Sequence, residues 1–138
     1  MPEESTTPDP VELLGRAFEA VNRRDLEAVA SSFAEDATFD GRALGARFEG
    51  RAAIRSFLED WFRAYEELEV GLEEVRDLGD GVVFAVVTQK GRPVGSAGHL
   101  RQREGWVFVW VRGLVARLTT SEVDEARAAA ERLARKRG

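Results

Sequence analysis

The sequence predicts an α+β fold, and two observations carry that prediction. Apolar residues recur at three- and four-residue spacing from Leu13 to Tyr65 and again beyond Ser121, whereas from Leu68 to Thr120 the period falls to two and glycine-containing turns break the runs. Helices collected at the two ends of a chain, with hairpins between them, describe α+β rather than alternating α/β architecture.

Each element has its own local reason. Residues 1–8 are polar and proline-containing and are expected to form a disordered tail, leaving one domain over 9–137. Asp9 is placed as an N-cap, with Pro10 at the first helical position and Glu12 at the third; Leu13, Leu14, Ala17, Phe18 and Val21 then form an apolar stripe that Asn22 ends. Asp25 caps a second helix carrying Leu26, Val29, Ala30 and Phe33. The run Ala37 to Asp40 reads as a short strand. A glycine-containing loop leads to a third helix near Gly50, apolar over a wide arc through Ile54, Phe57, Leu58, Trp61, Phe62 and Tyr65. Strands are expected from about Leu68 to Arg76 and from Val82 to Gln89, joined at Gly79-Asp80-Gly81. The glycine- and proline-rich stretch Lys90 to Gly98 is a loop or hairpin end; a strand then runs to Val111, turns at Arg112-Gly113 and returns through Leu114 to Thr120. Ser121 is expected to cap the last helix, which carries Val123, Ala126, Ala130 and Leu133 on one side and ends in basic residues that suit the helix dipole.

Composition narrows the function. A chain of 138 residues suits one domain with one core. With 25 acidic against 20 basic residues there is no basic excess to attract nucleic acid, and the basic residues of the last helix have Glu131 at salt-bridge spacing from Arg127 and Arg135. Apolar runs such as Trp106 to Val111 fall far short of the ~20 residues a membrane helix needs, and the polar start lacks the features of a signal peptide. Neither nucleic acid nor membrane is therefore expected as a partner, and a cytoplasmic location is. The absence of cysteine and the single histidine exclude a disulfide framework, a thiolate site and a multi-histidine metal centre. No phosphate-binding glycine loop is present either, so no cofactor or metal is expected.

Alternation puts Trp106, Phe108 and Trp110 on one strand face and Val107, Val109 and Val111 on the other. The aromatic face either packs as core or, with Trp61, Tyr65 and Phe39, edges a pocket for a flat or cyclic apolar molecule. The valine face needs cover, and helices that shield one side of the sheet imply a homodimer through it. Asp40 reads either as a catalytic base or as an Asx-turn residue accepting backbone N–H groups. His99 reads either as a proton-transfer group or as a solvent-facing hairpin residue. Arg101 and Arg103 alternate with Leu100 and Gln102, and a bulge at Gly105 would exchange the two rows.

The stretch FEAVNRRDLEAVASSFAEDATFDG resembles the opening of the SnoaL-like and ketosteroid-isomerase-like proteins of the nuclear-transport-factor-2-like superfamily. FEGRAAIRSFLEDWF resembles the third helix of that family, VWVRGLVARL its last hairpin and SEVDEARAAAERL its alanine-rich ending; the likeness covers about residues 10–134. It implies a cone: a curved, largely antiparallel but mixed sheet wrapped around three N-terminal helices, with a C-terminal helix, a pocket at the open end and commonly a dimer. It also implies a small apolar ligand and cofactor-independent isomerase, cyclase or dehydratase chemistry, although the same fold serves non-catalytic binding and dimerisation modules. Ketosteroid isomerases use an aspartate base, a tyrosine and a protonated aspartic acid. Here those positions fall on Gly41, Ala17 and Trp106, so that triad is not reproduced, and Asp40 sits one residue from the base position.

Overall fold

A computed structural model describes residues 9–42 and 44–138, so the expectation of a disordered tail over 1–8 lies outside the described residues. The chain runs α1 (Pro10–Asn22), α2 (Leu26–Ser31), β1 (Phe33–Gly41), β2 (Ala46–Glu49), α3 (Arg51–Ala64), β3 (Tyr65–Gly79), β4 (Val82–Pro93), β5 (Leu100–Val111), β6 (Leu114–Ser121) and α4 (Val123–Arg137). The α+β class is as expected. The strands form one open sheet in the order β2-β1-β6-β5-β4-β3, antiparallel throughout except where β1 lies parallel to β6. Among the described residues no helix is long and apolar enough to cross a membrane.

The two aspartate caps act as their positions suggest. Asp9 Oδ1 accepts the Val11 N–H at 3.0 Å and Asp25 Oδ1 accepts that of Ala28 at 3.1 Å, satisfying donors that the first helical turn leaves free. Asn22 ends α1 and does more: its side chain accepts the Val70 N–H at 2.8 Å and donates to the Val70 carbonyl at 3.0 Å. One residue thereby stops the helix and pairs with the free edge of β3, the outermost strand.

Several boundaries differ from the local reading, each because a distant partner competes. Phe33 is not helical: α2 stops at Ser31, and β1 begins at Phe33 because that residue pairs with Val115 of β6. β2, absent from the sequence reading, has only four residues and exists by pairing with Thr38–Gly41. Tyr65 leaves the helix as the first residue of β3, opposite Pro93, so β4 extends through what reads as a loop at Lys90 to Pro93. Ser121 does not cap α4. It stays in β6 opposite Gly105, and Glu122 takes the N-cap place without a side-chain bond.

Two apolar layers flank the sheet. On one face Val83, Ala85, Val87, Phe108 and Trp110 join Leu14, Phe18, Ile54 and Leu58 of the N-terminal helices. On the other, Val82, Phe84, Val86 and Val107 lie beneath Ala126 and Ala130 of α4. Val82 through Val87 are thus all buried, the valines and Phe84 each contributing about 1.5–3 kcal/mol as an upper estimate. The premise that the helices leave the valine face open is therefore corrected: α4 covers Val107, Val109 is also buried, and Val111 alone of the three is exposed. Any pairing of two copies through this face falls to what α4 leaves open.

Gly105 explains how close α4 comes. A Cβ placed there would lie 2.4 Å from the Ala126 Cβ and 3.0 Å from the Val123 Cα, so the glycine admits the helix onto the strand. Ion pairs then fasten the rim. Arg127 binds Glu74 at 2.9 Å and sits 4.8 Å over the Phe84 ring, while Arg103 holds Glu73 through three hydrogen bonds of 2.9–3.1 Å. Hydrogen bonds from Arg127 and Arg103, aided by their charge, hold the Glu74 and Glu73 carboxyls below the ordinary glutamate value.

Two outcomes follow from this packing. Gly105→Ala should cost about 1–3 kcal/mol by overpacking, lowering the Tm by several degrees, and Ala126→Gly in the same chain should restore part of it. For the ion pairs, the unfolded carboxyls take up protons before the folded ones. Their stabilisation is therefore complete above the ordinary glutamate value near 4.5 and is lost as pH falls through the lower folded values. Thermal scans from pH 7 to pH 3 should show the Tm falling in that acid window, with a shallower fall for Glu74→Gln.

Candidate functional site

The cavity is built on β5. Its pairing with β4 runs without interruption from Val82 opposite Val109 to Gly91 opposite Leu100, so alternation holds along the strand and no bulge occurs at Gly105 in this pairing. Gln102, Glu104, Trp106, Phe108 and Trp110 consequently share the face toward the N-terminal helices. The rings form a row, with 6.0 Å between the centroids of Trp106 and Phe108 and 6.1 Å between Phe108 and Trp110. From α1, Phe18 approaches Trp106 at 5.6 Å; from α3, Phe57 lies 5.4 Å from Phe39 of β1. Gly91 positions one more ring, because a Cβ there would stand 2.8 Å from the Tyr65 ring.

These walls enclose about 390 Å³, within the range of small-molecule sites, ~300–1,000 Å³. Polarity is uneven along the cavity. Phe108 and Trp110 are buried, whereas Asp60 and Gln102 are exposed and Glu104, Gln89 and Tyr65 are half-buried, so the floor is aromatic and the mouth polar. Thr120 and Ser32 add hydroxyls to the wall. Trp106 Nε1 donates to Glu104 Oε1 at 3.1 Å, which aims the carboxylate. Trp110 Nε1 is buried with no hydrogen-bond partner among the described residues, an unusual state for a buried donor. No group of three or more acidic or histidine side chains gathers to hold a metal among the described residues.

Trp61, Tyr65, Trp106, Trp110, Phe39 and Phe108, the six residues expected at a pocket, all line this cavity. Asp40 and His99 do not. Phe39 and its β6 partner Leu118 face the cavity, so Asp40 and its partner Thr119, one residue on, lie on the reverse of the sheet; across the other edge Asp40 pairs with Arg47. His99 stands between β4 and β5, 65% exposed, with Nε2 3.3 Å from Glu67 Oε1; its hydrogen bond, with that of Arg92, holds the Glu67 carboxyl below the usual range. Ala17 and Trp106 line the cavity at the tyrosine and acid positions of the isomerase pattern, as a methyl and an indole. Gly41, at the base position, pairs with Thr120 and carries no side chain.

Asp60, Glu104, Gln89 and Thr120 went unanticipated as cavity residues, and of the two alternating rows before Gly105 it is that of Gln102 that faces the cavity. Strand parity was the signal for Glu104 and Gln102, which keep step with Trp106 once a bulge at Gly105 is excluded. Asp60 follows Phe57 by three and precedes Ala64 by four, both of which line the cavity.

A curved, open, mixed sheet packed on helices around an internal cavity defines a cone of the nuclear-transport-factor-2-like class. The chain belongs to the SnoaL-like domain family, whose sequence model matches residues 14–118. No curated protein matches it. Among solved structures it is similar to TerC co-crystallised with polyporic acid, at 16% identity and TM-score 0.71 over 88% of this chain and 96% of that one. A ketosteroid isomerase-like protein from Catenulispora acidiphila in complex with trimethylamine shares 20% identity at TM-score 0.70, over 91% and 95% of the two chains. A SnoaL-like polyketide cyclase homologue from Shewanella putrefaciens shares 12% identity at TM-score 0.71, over 91% and 98%.

All three tryptophans of the chain line the cavity, which makes intrinsic fluorescence a report on that space. Asp40→Asn and His99→Ala should leave the emission spectrum unchanged and stability within about 0.5 kcal/mol. Glu104→Leu, which removes the acceptor for Trp106, should shift the emission maximum.

Proposed function

We propose that this chain binds a small, largely apolar, cyclic molecule in the cavity and acts on it by cofactor-independent proton transfer of the isomerase, cyclase or dehydratase kind. The observation that carries the reading is the volume: about 390 Å³ of open space with polar groups at one end. Had Trp106 and Trp110 filled the cone, a non-catalytic module would be the better account. Membership of a family that often binds small molecules or acts as isomerase or cyclase supports the same reading. Relatives of this fold were crystallised with polyporic acid and with trimethylamine, so the fold leaves the ligand's charge to the residues.

Chemistry at this site falls to Glu104 and Asp60, the two ionisable carboxylates on the wall, rather than to Asp40 or His99. A carboxylate at the mouth can take a proton from a carbon beside a carbonyl. Returned elsewhere on the same molecule, that proton completes an isomerisation; lost together with a hydroxide, it leaves as water. Neither course needs a redox partner. The aromatic floor would hold the ring system while the reacting atoms sit near the carboxylates.

A fluorescence titration against neutral cyclic ketones, lactones and epoxides tests the reading. A ligand of this site should quench or shift tryptophan emission saturably. At about a hundred times its dissociation constant it should add roughly 2.7 kcal/mol of stability, a Tm rise of several degrees. Ala17→Phe, which fills the wall, should remove both effects. The absence of any saturable change across the panel would transfer the weight to a binding or dimerisation role outside the cavity.

A further inference from the structure

The charge of the cavity wall has a sign. Asp60 and Glu104 contribute two carboxylates, and no lysine, arginine or histidine lines the cavity among the described residues. Three cations on the same elements are engaged elsewhere. Arg63 pairs with Glu59, Arg92 with Glu66 and Glu67, and Arg103 with Glu73 on the opposite face. Glu104 has one hydrogen bond among the described residues, from the neutral Trp106 indole, and Asp60 has no basic partner among them. The mouth is therefore an anionic field with a low-dielectric aromatic wall behind it, an arrangement that concentrates field lines on a cation.

The rings reinforce this. Trp61, Tyr65 and Trp106 are half-buried rings of the cavity wall, and the face of an indole or phenol attracts an ammonium group. An anionic ligand would meet no basic side chain there and would be repelled by both carboxylates, whereas a neutral ketone would simply gain no charge-assisted bond from them. An ammonium group finds a carboxylate that the Trp106 indole N–H holds at 3.1 Å, at the edge of the ring. The apolar floor of Phe108 and Trp110 then takes the hydrocarbon part.

From these features we infer that the cavity's ligand is a protonated amine carried on a cyclic apolar body, with its nitrogen at Glu104 and Asp60 and its rings against Phe108 and Trp110. The inference rests on the cavity being the ligand site, as proposed above, and adds the ligand's charge. It assigns Glu104 a binding role that Gln102, two residues toward the rim on the same face, cannot fill, because a neutral amide offers no charge-assisted bond.

The test compares two probes of one skeleton, 2-aminotetralin, which is an ammonium ion at pH 7, and 2-tetralol, which is neutral. Both are titrated by tryptophan fluorescence and calorimetry. A charge-assisted hydrogen bond in a shielded site predicts that the amine binds roughly 10- to 100-fold more tightly. Glu104→Gln should reduce that ratio toward one while leaving the alcohol's affinity within about twofold. Asp60→Asn, on an exposed helix position, supplies the same reading should Glu104→Gln lose its native circular dichroism. Equal affinities, or a preference for the alcohol, overturn the amine assignment and leave the cavity reading standing. Binding of neither probe, together with a blank neutral panel, overturns both. A preference for the amine that survives in the two variants removes the carboxylates from the account.

Discussion

The pairing of β4 with β5, continuous over its ten residue pairs, is the constraint on which the rest of the molecule depends. In a strand each step reverses the face, so an unbroken register decides for every residue whether it meets α4 or the cavity. One slipped pair would exchange Trp106 and Phe108 for Val107 and Val109, placing small side chains around the cavity and rings beneath α4. The buried run Val82 to Val87, apolar on both sides, tolerates either parity by itself. The direction comes from its neighbour, where Gly105 and the tryptophans are not interchangeable.

The two faces of the sheet solve opposite packing problems. Toward α4 the closest contact is between small residues, Gly105 against Ala126, and the helix settles directly on the strand, with Phe84 the one ring beneath it among the described residues. Toward the N-terminal helices the contact residues are rings, which hold α1 and α3 away from the sheet and leave space between them. A sealed dry void of that size would be a heavy cost. Here the polar side chains gathered at one end let the space open to solvent, and the helices are kept in place by contacts outside it. Asn22 holds α1 to the β3 edge, Arg24 donates to the Phe62 carbonyl of α3, and Arg51 donates to the Phe33 carbonyl of β1.

Charge follows the same division. On the outer face and rim, glutamates and arginines are matched, tying β3 to α4 and to β5. Inside the cavity mouth the carboxylates have no basic partners among the described residues. Stability is served by the first arrangement, which compensates its charges; the second leaves charge uncompensated by the protein and so available to something that is not protein. The wall residues are accordingly more informative about ligand chemistry than the fold, which accommodates many.

The sequence by itself determined the α+β class, the helix caps at Asp9 and Asp25, the hairpin turns and the aromatic row of β5, because each is set by residues within a few positions of one another. It also carried enough ordered motifs to show the family likeness. Tertiary structure alone decided that Phe33 belongs to a strand, that four residues after Gly45 form β2, and that Ser121 stays in the sheet, since each outcome is a competition won by a partner far along the chain. It likewise decided the site. Asp40 and Glu104 are both carboxylates within two residues of an aromatic residue in sequence, but the pairing of β1 with β6 turns one away from the cavity and that of β5 with β4 turns the other in. Which face a strand presents is a property of its neighbours, and no local pattern contains it.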